Sequence, residues 1–75
     1  MNVDDVFNAI VTRTEAYGVY LVCEGVEILV LVTEIGYEPG IDPRTRYQRG
    51  DVVRVKLTRH IPTENRWRAS IREAT

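Results

Sequence analysis

Five short runs of strand-forming residues, each ended by a turn signal, occupy most of this chain: residues 6–14, 17–23, 26–32, 52–59 and 66–72. The breaks between them are Glu15-Ala16, Glu24-Gly25, a Gly/Pro-bearing stretch at 36–49, Gly50-Asp51, and residues 60–65 around Pro62. Short strands at such close spacing predict an all-β protein. A chain of 75 residues has little surface to bury, about 60–65% of what its unfolded form exposes. A small closed barrel answers both constraints, because it buries one continuous face of every strand and leaves few unpaired edges. Residues 1–75 are accordingly read as a single domain.

The alternation within each run assigns faces. Phe7, Ala9 and Val11 recur at period two in the first strand. In the second, Val19, Leu21 and Cys23 share one face, and Tyr20 and Val22 the other. Gly18 interrupts that strand and marks a bulge or sharp bend. Five consecutive apolar residues, from Ile28 to Val32, break the alternation of the third strand. That strand is expected to be covered on both faces or to present an outer contact surface. In the fourth, Val53, Val55 and Leu57 point inward, with Arg54, Lys56 and Thr58 outward. In the fifth, Trp67, Ala69 and Ile71 oppose Arg66, Arg68, Ser70 and Arg72. Trp67 is therefore expected in the core, its bulk offset by the small Ala69. The connection at 36–49 is long for a compact domain. Within it, Asp42 before Pro43 has the form of a helix N-cap and first position, predicting one helical turn over 44–47 with Tyr47 packed on the barrel.

Composition narrows the function. The lone cysteine, Cys23, has no partner for an internal disulfide or a thiol metal site. It reads as a reduced, buried residue in a cytoplasmic setting. The longest apolar run has five residues, far short of the roughly 20 that span a bilayer as a helix. Residues 1–5 carry two acids and no apolar segment, which does not suit a secretory signal. His60 is the only histidine, and no serine, cysteine or carboxylate pair lies near it in sequence to form a catalytic or metal-binding set. The phosphate-loop pattern G-x-x-x-x-G-K-[ST] is absent. The expectation is a non-enzymatic binding domain with no metal and no cofactor, present as a monomer.

The net charge of −1 conceals a division. Residues 1–43 hold one basic residue, Arg13, against eight acids, while residues 44–75 hold nine basic residues against three acids. Such asymmetry predicts a basic face, unless the halves neutralise each other across the barrel. Tyr17 and Tyr20, astride Gly18, are the strongest candidates for a binding platform, since an exposed aromatic ring stacks on a nucleic-acid base. Arg66, Arg68 and Arg72 form a basic stripe at period two, suited to phosphate through the planar guanidinium fork. Lys56, with Arg54 and Arg59, adds to the field, and Arg13 is placed to approach the same face.

The ordered set of motifs carries a family resemblance. Tyr-Gly-Val-Tyr at 17–20 is followed by Leu-Val-Leu-Val-Thr-Glu-Ile at 29–35, Tyr-Gln-Arg-Gly-Asp-Val-Val-Arg-Val-Lys at 47–56, and Arg-Ala-Ser-Ile-Arg-Glu-Ala at 68–74. Over about residues 6–74 this resembles the S1 domain, the RNA-binding module of ribosomal and RNA-processing proteins. The resemblance implies a five-stranded OB-fold barrel with a short helical turn between strands 3 and 4. It implies single-stranded RNA, or single-stranded DNA, as partner, with base stacking on Tyr17 and Tyr20. The family's basic residue early in the last strand falls on Arg66, and Arg68 is the next outward residue. Two positions depart from the family. Leu31 stands where a histidine is usual on strand 3, and the end of strand 4 reads Thr58-Arg59-His60-Ile61-Pro62 where an acid is usual. Both changes remove polar contacts that discriminate bases or read a 2′-hydroxyl. The alternative they suggest is a protein partner docked through Leu31 and the apolar residues 28–32.

Overall fold

The computed structural model describes residues 1–74. Strands β1 (Val6–Glu15), β2 (Gly18–Cys23), β3 (Val26–Leu31), β4 (Val52–Ile61) and β5 (Arg66–Ser70) close into a barrel in the order β1-β2-β3-β5-β4. The ring is completed by β4 pairing with β1, and every neighbour is antiparallel except β3 and β5. One helical turn, α1 (Pro43–Arg46), separates β3 from β4. This is the OB-fold barrel expected from the sequence.

Alternation builds the interior. Val11, Val19, Leu21, Ile28, Val30, Val55 and Leu57 are fully enclosed, and Ala9, Ile35 and Ala69 complete the cluster. Burying each large aliphatic side chain contributes roughly 1.5–3 kcal/mol. Phe7, Cys23, Tyr47, Val53, Trp67 and Ile71 pack against this cluster from its margin. Cys23 and Trp67 are thus half-buried rather than central. Cys23 ends β2 beside a hairpin, and Trp67 stacks on His60 with ring centres 4.6 Å apart. The apolar run is covered on both faces over residues 28–30, while Leu31 and Val32 are partly exposed. Ile28 and Val30 point inward, while Leu29 points outward but is only 4% exposed.

Local chemistry sets the connections. Glu24 and Gly25 both adopt positive φ, 51° and 77°, as a two-residue hairpin of the primed type requires. Asp42 caps α1 by accepting the Arg44 backbone N–H at 3.0 Å, with Pro43 buried at the first helical position. Tyr47 follows and seats the turn against the core.

Two strand ends differ from the sequence pattern by more than one residue. β5 stops at Ser70, because the Ile71 N–H turns to the Glu34 carbonyl at 2.9 Å and the Ser70 hydroxyl accepts the Glu73 N–H at 3.1 Å. Arg72 therefore leaves the strand for a short 3-10 turn (Arg72–Ala74). β4 instead runs on to Ile61, so His60 belongs to a strand rather than a loop and faces Trp67.

β2 and β3 approach closely at Gly18. A Cβ there would lie 2.5 Å from the Val30 carbonyl oxygen and 3.1 Å from Leu31 Cα, both backbone atoms. Overpacking of this kind is expected to destabilise Gly18→Ala by about 3 kcal/mol. A clear drop in the urea midpoint measures it, and an unchanged midpoint contradicts the close approach.

Candidate nucleic-acid interface

The register of β1 shifts between Val11 and Arg13, and that of β4 between Leu57 and Arg59. Thr12 and Thr58 are the extra residues, and the Thr12 hydroxyl donates to the Tyr20 carbonyl at 3.3 Å. A bulge re-aims everything after it. Strict alternation from Val11 and Leu57 would turn Arg13 and Arg59 inward, whereas the bulges turn both outward. The pairs Arg13–Tyr20, Tyr20–Leu29, Leu29–Arg68 and Arg68–Arg59 then form one row across all five strands.

The tyrosines sit at one end of this row. Their hydroxyls lie 2.5 Å apart and their rings meet edge to face, with centres 6.0 Å apart. Tyr17 is 46% exposed and Tyr20 only 7%. The Arg13 guanidinium stands 4.2 Å over the Tyr20 ring, and that of Arg66 5.1 Å from it. Such cation–π contacts contribute about 0.5–1 kcal/mol each at exposed sites. The hydrogen bond with Tyr20, aided by partial burial, holds the Tyr17 phenol above its ordinary pKa. Contact with the Tyr20 hydroxyl likewise raises the Arg13 guanidinium.

The structure gathers Arg13, Tyr17, Tyr20, Arg66 and Arg68 on one face and leaves two other candidates apart. Arg72 pairs with Glu34 at 3.3 Å and lies over the Tyr37 ring at 4.8 Å. Lys56 is 3.7 Å from Asp4 and pairs in register with Ser70. Arg66 is tied to Glu27 at 2.6 Å and Glu64 at 3.5 Å. The opposed halves of the sequence thus meet through Glu27–Arg66, Glu34–Arg72, Glu38–Arg46, Asp42–Arg44 and Asp4–Lys56. Among the described residues, Arg59 and Arg68 share no ion pair within 4.0 Å. They line a depression of about 280 Å³ with Leu29, Leu31, Glu34, Thr58 and Ala69. Sequence reasoning gave Arg59 to the general field only. Nothing local signals the bulge that sets it opposite Arg68, since a threonine, not a glycine, occupies it.

Among the described residues, no group of three histidine, cysteine, aspartate or glutamate side chains gathers to hold a metal, and no helix is long and apolar enough to cross a membrane. A barrel of this order, with paired aromatics and arginines on the outer faces of β1, β2 and β5, has the form anticipated from the motifs. The family model for the S1 RNA binding domain matches residues 1–72. The chain belongs to the S1 RNA-binding domain family. Nucleic-acid binding is the function this family supports.

Solved structures agree with the assignment. The solution structure of GSP13 from Bacillus subtilis superposes with a TM-score of 0.86 at 27% identity, covering 97% of this chain and 57% of that one. A chain of the a/eIF2alpha–aDim2p–rRNA complex from Pyrococcus horikoshii OT3 gives 0.89 at 23% identity, covering 100% and 46%. The intact alpha subunit of aIF2 from Pyrococcus abyssi gives 0.83 at 23% identity, covering 96% and 29%. The last two show a shared fold. This S1 domain spans about half the length, or less, of these matched chains. Comparison with curated proteins yields no significant match.

The hydroxyl pair makes a pH prediction. A raised phenol pKa means the neutral form is favoured in the fold, so the stabilisation is present below the ordinary value of 10.0 and is lost as pH rises through the higher folded value. Tyr17, followed by NMR, should titrate above 10.0 and return toward it in Tyr20→Phe, which keeps the ring and removes the hydroxyl. No change in that variant contradicts the pairing.

Proposed function

We propose that this barrel binds single-stranded RNA across the outer faces of β1, β2, β3 and β5. Bases stack on the Tyr17–Tyr20 pair, and phosphates contact Arg13, Arg66 and Arg68. The observation that carries this reading is the layering of two guanidiniums on Tyr20 beside the exposed ring of Tyr17. A guanidinium is flat, cationic and weakly hydrated, so it covers an aromatic face in the free protein and turns to a phosphate when a base replaces it. Arg66 has the same freedom. Its partners Glu27 and Glu64 are exposed although Arg66 is partly buried, and ion pairs open to water are worth about 0–1 kcal/mol, so exchanging Glu27 for a phosphate costs little.

Leu31 supports low sequence selectivity. It projects outward opposite Gly18, at the end of β3, and offers a base no hydrogen bond. Stacking and charge then supply the affinity, and both tolerate any base. Single-stranded DNA is the competitor that such a surface discriminates least. The protein-docking alternative has less to work with. Of residues 28–32, only Leu31 and Val32 are even partly exposed, which is a small apolar area for a stable interface.

Titration of a short single-stranded RNA at ~50 and ~200 mM salt tests the reading. Binding should weaken as salt rises. Tyr17→Ala, at an exposed position, should retain the fold and lose about 1–3 kcal/mol of affinity, roughly 5- to 150-fold. Tyr20→Leu should weaken binding as well while preserving apolar volume. Absence of binding at ~50 mM salt contradicts the proposal.

A further inference from the structure

We infer that Arg59 and Arg68 form a phosphate site in the depression beside Leu31, occupied by a backbone phosphate of the strand stacked on the tyrosines. This rests on the RNA reading and adds a second anchor to it. Arg59 and Arg68 are register partners on antiparallel strands. Two like charges placed directly opposite each other destabilise a sheet. Elsewhere in this chain a basic side chain on a strand commonly meets an acid, as Arg66 meets Glu27 and Lys56 meets Asp4. Arg59 and Arg68 meet each other instead. The Arg68 Nε is shielded from solvent and donates to no acceptor among the described residues. The one carboxylate on the rim, Glu34, is held by Arg72 at 3.3 Å. The concavity therefore carries two cations, an underused N–H and an apolar floor of Leu29 and Leu31.

A phosphate satisfies each of these features. It screens the like charges, accepts from both guanidinium forks, and lets the attached ribose lie on the leucines. The site is also in reach of the tyrosines. Tyr20 and Arg68 are two strands apart in the cross-strand row, or about 10 Å at ordinary strand spacing. A bound strand would cross the barrel from β2 toward β4, along the row.

Salt dependence isolates the site. Anisotropy with a 5′-hydroxyl oligouridine of about eight nucleotides, a length within ordinary OB-fold site sizes, leaves only internal phosphates as ligands. Arg59→Gln/Arg68→Gln should bind about tenfold more weakly at 50 mM salt and flatten the log–log salt slope by about 0.7 for each phosphate released. Arg68→Lys keeps the charge but loses the fork, so affinity should fall with little change in slope. Arg49→Gln/Arg54→Gln removes equal charge outside the depression and should change both quantities far less. Both double variants should stay folded, as thermal unfolding would report. If the two double variants behave alike, the pair adds only to the general field and the inference fails. If Tyr17→Ala weakens binding while Arg59→Gln/Arg68→Gln keeps the wild-type slope, the site is wrong and Arg68 is no phosphate contact, while stacking on the tyrosines with Arg13 and Arg66 stands. If the wild type does not bind, both fall together.

Discussion

Closing five short strands into a barrel forces the two ten-residue strands, β1 and β4, to bend, and each bends at a threonine. The binding face depends on those bends. A strand has a side-chain period of two, so one inserted residue exchanges inside for outside for the rest of the strand. Before the bulges, β1 and β4 feed Ala9, Val11, Val55 and Leu57 into the core. After them, the same strands turn Arg13 and Arg59 to the surface at opposite ends of a row through Tyr20, Leu29 and Arg68. Steric closure and placement of charge are one event in this fold. The tight passage of β2 against β3 at Gly18 belongs to the same closure, since it sets Leu31 beside the tyrosine strand.

Charge is distributed by the same topology. The acidic first half and basic second half are interleaved around the ring, so several arginines find an acid from the other half. The excess that remains is local and includes the Arg59–Arg68 pair. A chain with net charge −1 can in this way present a cationic patch without a strongly basic composition. Long-range attraction to a polyanion should be modest, with affinity arising from close contact.

Much of the architecture was legible because it is encoded locally. Alternating apolar residues name the strands, Glu24-Gly25 forms the hairpin, and Asp42-Pro43 begins the helical turn. The spacing Tyr17-Gly18-Val19-Tyr20 was enough to propose the platform. Three features were not legible, each for a non-local reason. The bulges at Thr12 and Thr58 arise from barrel curvature and carry no glycine. The end of β5 at Ser70 is set by hydrogen bonds from Ile71 and Ser70 to the carbonyl of Glu34, far away in sequence. The removal of Arg72 from the basic stripe follows from that ending. Period-two reasoning continued past these points and so placed Arg72 on the stripe and Arg59 outside the row.

The central claim is that one row of the barrel, from Arg13 to Arg59, is the nucleic-acid surface. Amide and side-chain shift mapping by NMR, with a short single-stranded oligouridine added to the labelled protein, tests it most directly. The account predicts saturable changes at Arg13, Tyr17, Tyr20, Leu31, Arg59, Arg66 and Arg68. It predicts little change at Asn8, Ile10, Val52 and Arg54, on the outer wall where β1 meets β4. Changes centred on that wall, or none at saturating RNA, would contradict it.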